Sequence, residues 1–273
     1  MKVSAGIKCI AALALFTTLG FAQSGDAHAK RVIDDAVAAL GGQNFLTMQD
    51  RIESGRAYSF YHDRLSGLSV AKIYTRYITV AKGKSGEELG VREREAFGKN
   101  EDAADLFTES GAWQITWRGT KDLPADQFER YRESTLHNIL YILRQRLDEP
   151  GMIFESRGSD VYENLPVDIV DITDSENRVV TVYFHQSTKL PVRQVYTRWN
   201  PLTKERDQEE TSFARYRDAG GVQWPHEIMR LRNGEKVYQI FSETVVVNQD
   251  LADNLFSLPP PGQPIQKIPV KRK

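Results

Sequence analysis

Apolar positions recur every second residue over most of this chain and every third or fourth residue in only two stretches. Residues 51–62 alternate through Ile52, Ser54, Arg56, Tyr58 and Phe60. Residues 68–80 set Val70, Lys72, Tyr74 and Arg76 on one face and Ala71, Ile73, Thr75 and Tyr77 on the other. A period of two predicts strands. The same reading predicts strands over 89–97, 111–117, 152–156, 161–172, 178–184, 190–199, 205–216 (or 211–218), 222–232 and 236–248. Short turn signals separate them, so the strands form an antiparallel meander. Asn233-Gly234 predicts a type I′ turn, whose two central residues both need positive φ.

The helical period appears over 30–40 (Val32, Ile33, Ala36, Val37, Ala39, Leu40), stopped by Gly41-Gly42. It returns over 122–147, where Phe128, Tyr131, Leu136, Ile139, Leu140, Leu143 and Leu147 make one stripe before Glu149-Pro150-Gly151. With no strand–helix–strand alternation, a Rossmann or TIM fold is not expected. A sheet of ten or more strands must close, split or curl. The expected class is α+β, mainly β: a curved antiparallel sheet forming an unclosed half β-barrel, with helices as a lid. The helix 122–147 then covers a hydrophobic slot free of deep charges, able to take acyl chains at about 0.8 kcal/mol per buried methylene. The residues expected to line it are Phe60, Tyr74, Trp113, Trp117, Leu136, Leu140, Leu143, Phe154, Phe184, Trp199 and Phe213. Trp224-Pro225 is expected to end a ladder, since proline donates no hydrogen bond.

Residues 1–29 read as a signal peptide: Lys2 and Lys8, an apolar run over 10–22, and Ala27-His28-Ala29 as the cleavage site, with an earlier cut after Ala22 the alternative. That implies export to the periplasm. Residues 30–259 are expected to form one domain, and 260–273 a Pro-rich basic tail. A net charge of −1 lacks the basic excess of a nucleic-acid binder. The only cysteine, Cys9, falls in the signal segment, so the exported chain has no thiol for disulfides, nucleophilic catalysis or thiolate metal sites.

The chemistry of catalysis is thin. The five histidines are scattered, and His226-Glu227 is followed by no second histidine. Gly83-Lys84-Ser85 lacks the first glycine of a P-loop, and Gly67-Leu68-Ser69-Val70-Ala71 lacks the last glycine of a nucleophile elbow. Asp171, Asp174 and Glu176 read as turn residues, and Arg92 to Glu95 as solvated strand faces or edges guarded against pairing. No catalytic residue, metal ligand or cofactor site is assigned.

Two sets of motifs carry a resemblance. Ala36-x-x-Ala39-Leu40-Gly41-Gly42, then Arg51-Ile52, Gly55 and Tyr58, open the chain. Gly220-Gly221-Val222-Gln223-Trp224-Pro225, then Val247-Asn248, Leu251, Phe256 and Pro259, close it. Together they resemble the LolA/LolB-like superfamily of periplasmic lipid and lipoprotein carriers. The resemblance implies an unclosed barrel with a helical lid, a non-catalytic carrier of lipid or lipoprotein acyl chains, and no cofactor. Expected partners are a lipid or a lipidated protein. The superfamily also implies an alternative, an envelope stress-sensing module that binds a protein partner on its concave face.

Overall fold

The computed structural model describes residues 20–80 and 88–259, with side chains from Ala27 onward. The first nineteen residues of the expected signal, residues 82–87 of the expected polar turn and the tail 260–273 lie outside the described residues. In chain order the strands are β1 (Asp50–Tyr61), β2 (Arg64–Tyr77), β3 (Val91–Phe97), β4 (Ala103–Thr108), β5 (Gly111–Thr116) and β6 (Gly119–Asp122). After the helical segment come β7 (Ile153–Tyr162), β8 (Leu165–Thr173), β9 (Val179–His185), β10 (Pro191–Asn200), β11 (Glu205–Asp218), β12 (Gln223–Arg232) and β13 (Glu235–Val247). All are antiparallel neighbours in one sheet ordered β6-β5-β4-β3-β2-β1-β13-β12-β11-β10-β9-β8-β7. The two edges do not pair, so the barrel is open as the alternation predicts.

The turn chemistry sets these hairpins. Asn233 (φ 50°) and Gly234 (φ 84°) take the expected left-handed pair between β12 and β13. Glu163-Asn164 does the same job at φ 48° and 65°. It divides the single strand expected over 161–172 into the β7–β8 hairpin. The pairing of β12 with β13 stops at Glu227, whereas Pro225 pairs only with Tyr216 of β11. Proline therefore sits where no donor is needed.

The opening and closing motifs meet. Helix α1 (Gly20–Leu40) ends at Gly41, where a Cβ would lie 2.3 Å from the Gly221 carbonyl oxygen, so only glycine fits. A short helix α2 (Gln43–Leu46) follows. The Arg51 guanidinium lies 4.0 Å from the Trp224 ring centroid. Asp50 accepts the backbone N–H groups of Gln249 (2.7 Å) and Leu251 (3.0 Å). That leads the chain into the turn Asp253–Phe256, whose Leu255 and Phe256 cover Tyr74 and Leu106 on the outer face.

The one long helix expected over 122–147 is broken. Helix α3 (Ala125–Leu136) ends at His137, Asn138 is extended, and α4 (Ile139–Tyr141) runs into a π-helical turn, Ile142–Arg146. The reason is local. Asn138 Oδ1 caps the second helix, accepting from Leu140 N at 2.9 Å, and buried Gln194 on β10 accepts Ile139 N at 2.8 Å. A side-chain cap and a sheet residue replace the hydrogen bonds that a continuous helix would make.

The main core packs α1, Phe45, Met48 and the segment 139–143 onto the inner faces of β8 to β12, including Val170, Val182, Phe184, Phe213 and Trp224. One end of the concave face is therefore filled. The other end lies under α3, which buries only Leu136 of its residues.

Candidate functional site

Beneath α3 is a cavity of about 360 Å³ whose walls run from Phe107 on β4 to Gln194 on β10. Contributions from both halves of the sheet show how far it curls. Cross-strand register builds the floor. One row places Phe107, Glu93, Thr75 and Arg51 side by side; the next places Glu95, Ile73 and Glu53 side by side. Across β13 and β12, Ile240 pairs with Ile228 and Tyr238 with Arg230. The roof is α3, held by Tyr131 stacked on Phe107 at 3.9 Å and by Glu133, 3.9 Å from Arg198 on β10.

The cavity is not the charge-free slot expected from the sequence. Arg51 Nη2 donates to Thr75 Oγ1 at 2.9 Å, and Thr75 donates to Glu93 Oε2 at 3.0 Å. Glu53 lies 3.5 Å from Arg51 Nε and accepts a hydrogen bond from Ser242. Burial pushes both Glu93 and Glu95 up, and the neighbouring Glu93 adds to the effect at Glu95, whose carboxyl reaches about 8. Glu95 therefore keeps its proton at neutral pH.

This has a measurable sign. Between about pH 4.5 and 8 the folded protein holds a proton on Glu95 that the unfolded chain has released. Stability therefore falls as pH rises through that window. Glu95→Gln removes the effect. It is expected to raise stability by about 1–2 kcal/mol at pH 9, after screening by cavity water, with little change at pH 5. Urea melts of both proteins at the two pH values check this; parallel curves refute it.

Of the residues expected to line the slot, only Leu140 does so. Leu136 lies next to the cavity, packed with Val91, Tyr141 and Tyr131. Leu143, Phe184 and Phe213 are in the main core, with Phe154 packed against it. Tyr74 and Trp113 belong to the outer-face cluster under Asp253–Phe256. Phe60 is half-buried near the end of β1, and Trp117 and Trp199 are 70% and 57% exposed. Sequence reading missed Arg51, Glu93, Glu95, Tyr131, Arg230 and Tyr238 as cavity residues. Glu93 and Glu95 share one face of β3, which has β2 and β4 on either side and so is no guarded edge; the cavity lies on that face, which the sequence alone does not reveal.

No protein-family model and no curated protein matches the sequence. Solved structures do. A DUF1329 family protein from Desulfovibrio piger superposes with a TM-score of 0.55 at 14% identity, over 84% of this chain and 97% of that one. A putative outer membrane lipoprotein-sorting protein domain from Vibrio parahaemolyticus gives 0.54 at 10% identity, over 86% and 97%. A LolA superfamily protein from Nitrosomonas europaea gives 0.49 at 10% identity, over 84% and 97%. The fold is LolA-like. In this LolA-like fold, β1 to β13 form the open sheet and α3 spans its unfilled end.

Proposed function

We propose that this chain is a non-catalytic, periplasmic carrier that holds lipid, or the acyl chain of a lipidated protein, between the curved sheet and α3. The observation that carries this reading is the cavity of about 360 Å³ under a helix that buries one residue. Such a volume is near the lower end of ligand pockets, about 300–1,000 Å³, and suits one chain better than several. The fold shared with a lipoprotein-sorting domain supports the same reading. Entry of ligand requires α3 to lift, and the break at Asn138 supplies the pivot.

For export, cleavage after Ala22 is favoured over cleavage after Ala29. Ala29 is fully buried in the main core, and His28 lies 4.0 Å from Asp168. N-terminal sequencing of the exported protein is expected to begin at Gln23; a start at Lys30 refutes the earlier cut.

Native mass spectrometry of protein purified from a periplasm without detergent tests the carrier reading. Extra mass that leaves on organic extraction and proves to be lipid supports it. A clean apo mass with no uptake of added fatty acid or phospholipid moves the reading to an envelope module that binds a protein partner. The exposed Tyr61, Leu65 and Leu68 around the β1–β2 hairpin favour that second reading.

A further inference from the structure

Five arginines line the cavity, and four of them are paired. Arg51 has Glu53, Arg130 has Asp126, Arg198 has Asp207 and Glu209, and Arg232 has Glu209. Arg230 is different. Among the described residues its side chain makes no hydrogen bond and no ion pair; the Tyr238 ring lies 5.5 Å from the guanidinium carbon, and Glu95, Tyr196 and Glu93 act on it electrostatically without a direct contact. It points into the cavity from the middle of β12, enclosed by protein yet open to solvent. A guanidinium in such a place offers a fork of donors that solvent alone receives and that a bound anion can take over.

Glu93 and Glu95 act on the Arg230 charge electrostatically, but neither forms an ion pair with it. The Glu93 carboxylate is engaged by Thr75 and faces Arg51 at 3.9 Å. Glu95 stays protonated at neutral pH, so it adds no second negative charge and has an O–H to donate. Two residues along β12 from Arg230 is Ile228, paired with Ile240, and Ile73 and Leu140 continue an apolar wall. A polar anchor thus sits beside a short apolar lane.

We infer that Arg230 is the receptor for the oxyanion head group of a single-chain amphiphile, a carboxylate or phosphate monoester, whose chain lies along Ile228, Ile240 and Ile73 beneath α3. This rests on the carrier reading and names the class of ligand. The head enters first and is read by charge; the cavity volume limits the ligand to one chain.

The test uses calorimetric titration of the exported full chain, stripped of endogenous lipid, with four probes below their aggregation limits: dodecanoate, dodecanol, acetate and inorganic phosphate. Dodecanoate is expected to bind at least tenfold more tightly than dodecanol, with no measurable binding of acetate or phosphate. Arg230→Gln is expected to bring dodecanoate down to the dodecanol level and leave dodecanol unchanged. That unchanged affinity also shows the variant is folded. Arg230→Lys, which keeps the charge but loses the fork, is expected to restore part of the difference. Equal binding of dodecanoate and dodecanol to the unmodified protein overturns the anion receptor while leaving the carrier reading intact. Binding of neither chain overturns both. Tight binding of phosphate alone overturns the amphiphile in favour of a soluble anion.

Discussion

Replacing Arg146 by alanine is expected to lower folding stability by about 3–5 kcal/mol. A loss of that size rivals the whole stability of a marginal domain. Arg146 is 1% exposed and every arm is used. Its Nε and Nη2 donate to Glu149 at 2.7 and 3.0 Å, Nη2 also to Asp174 at 2.8 Å, and Nη1 to the Leu136 carbonyl at 2.8 Å. Against the pull of its own burial, Asp174 is held below the usual carboxylate range by hydrogen bonds from Arg146 and the Arg178 backbone. Removing the arginine leaves the buried Glu149 carboxylate without this partner, leaves Asp174 to Arg178 and the turn's backbone N–H groups, and frees the carbonyl that ends α3. Arg146→Lys is expected to recover less than half of the loss, because a point charge cannot serve three acceptors in a fixed fork. Chemical denaturation decides it: a change under 1 kcal/mol in the alanine variant means the cluster is not what holds this segment.

The second large effect is acid destabilisation through His137. This ring is 3% exposed, stacks on Tyr196 at 4.1 Å, and donates from Nδ1 to the Glu133 carbonyl at 2.8 Å. Burial lowers its basicity to about 4, with Arg178 and Arg146 adding to the shift. Between about pH 6.5 and 4 the unfolded chain takes a proton that the folded chain refuses. Stability is therefore present above 6.5 and lost as pH falls through the window, by about 3 kcal/mol at 1.36 kcal/mol per pH unit. Glu95 has the opposite, shallower slope where the two windows overlap, from about 4.5 to 6.5, so the unmodified protein is expected to lose stability there less steeply than His137 alone would dictate. In Glu95→Gln the His137 slope stands alone. Adding His137→Phe, which keeps a ring against Tyr196, is expected to flatten it. If stability of the Glu95→Gln protein does not fall between pH 6.5 and 4.5, the assignment to His137 is wrong.

Much of the fold was legible in the sequence because it rests on short-range rules. Period-two alternation located most of the strands, and Asn233-Gly234 fixed a turn type. The glycine and tryptophan motifs were legible too, since Gly41 and Gly221, like Arg51 and Trp224, turn out to be mutual contacts between the chain's two ends. What was missed depends on sequence-distant partners. The break at Asn138 needs Gln194 from β10 to take the freed N–H. Strand β6, four residues long, is too short for its alternation to stand out, and no strand is predicted over β4. For the site, most of the large apolar side chains expected to line a slot lie in the filled core or the outer cluster, and Trp117 and Trp199 are exposed. The space left open is bordered by groups that satisfy one another across strands, and only three-dimensional register reveals that Glu93 faces Thr75 and Arg51.

The central place of β1 and β13 in the sheet has a consequence for how the molecule comes to exist. Each half is a run of local hairpins, β1 to β6 and β7 to β13, whose contacts form between near neighbours in sequence. The seam between the halves joins Arg51 to Val247, close to opposite ends of the described chain. Such a long-range closure is slow and costs loop entropy before it gains contacts. The final sheet cannot assemble until its last strand has been made. A chain with this wiring cannot close the seam between its halves while its C-terminal end is still emerging, however early the local hairpins of the first half form.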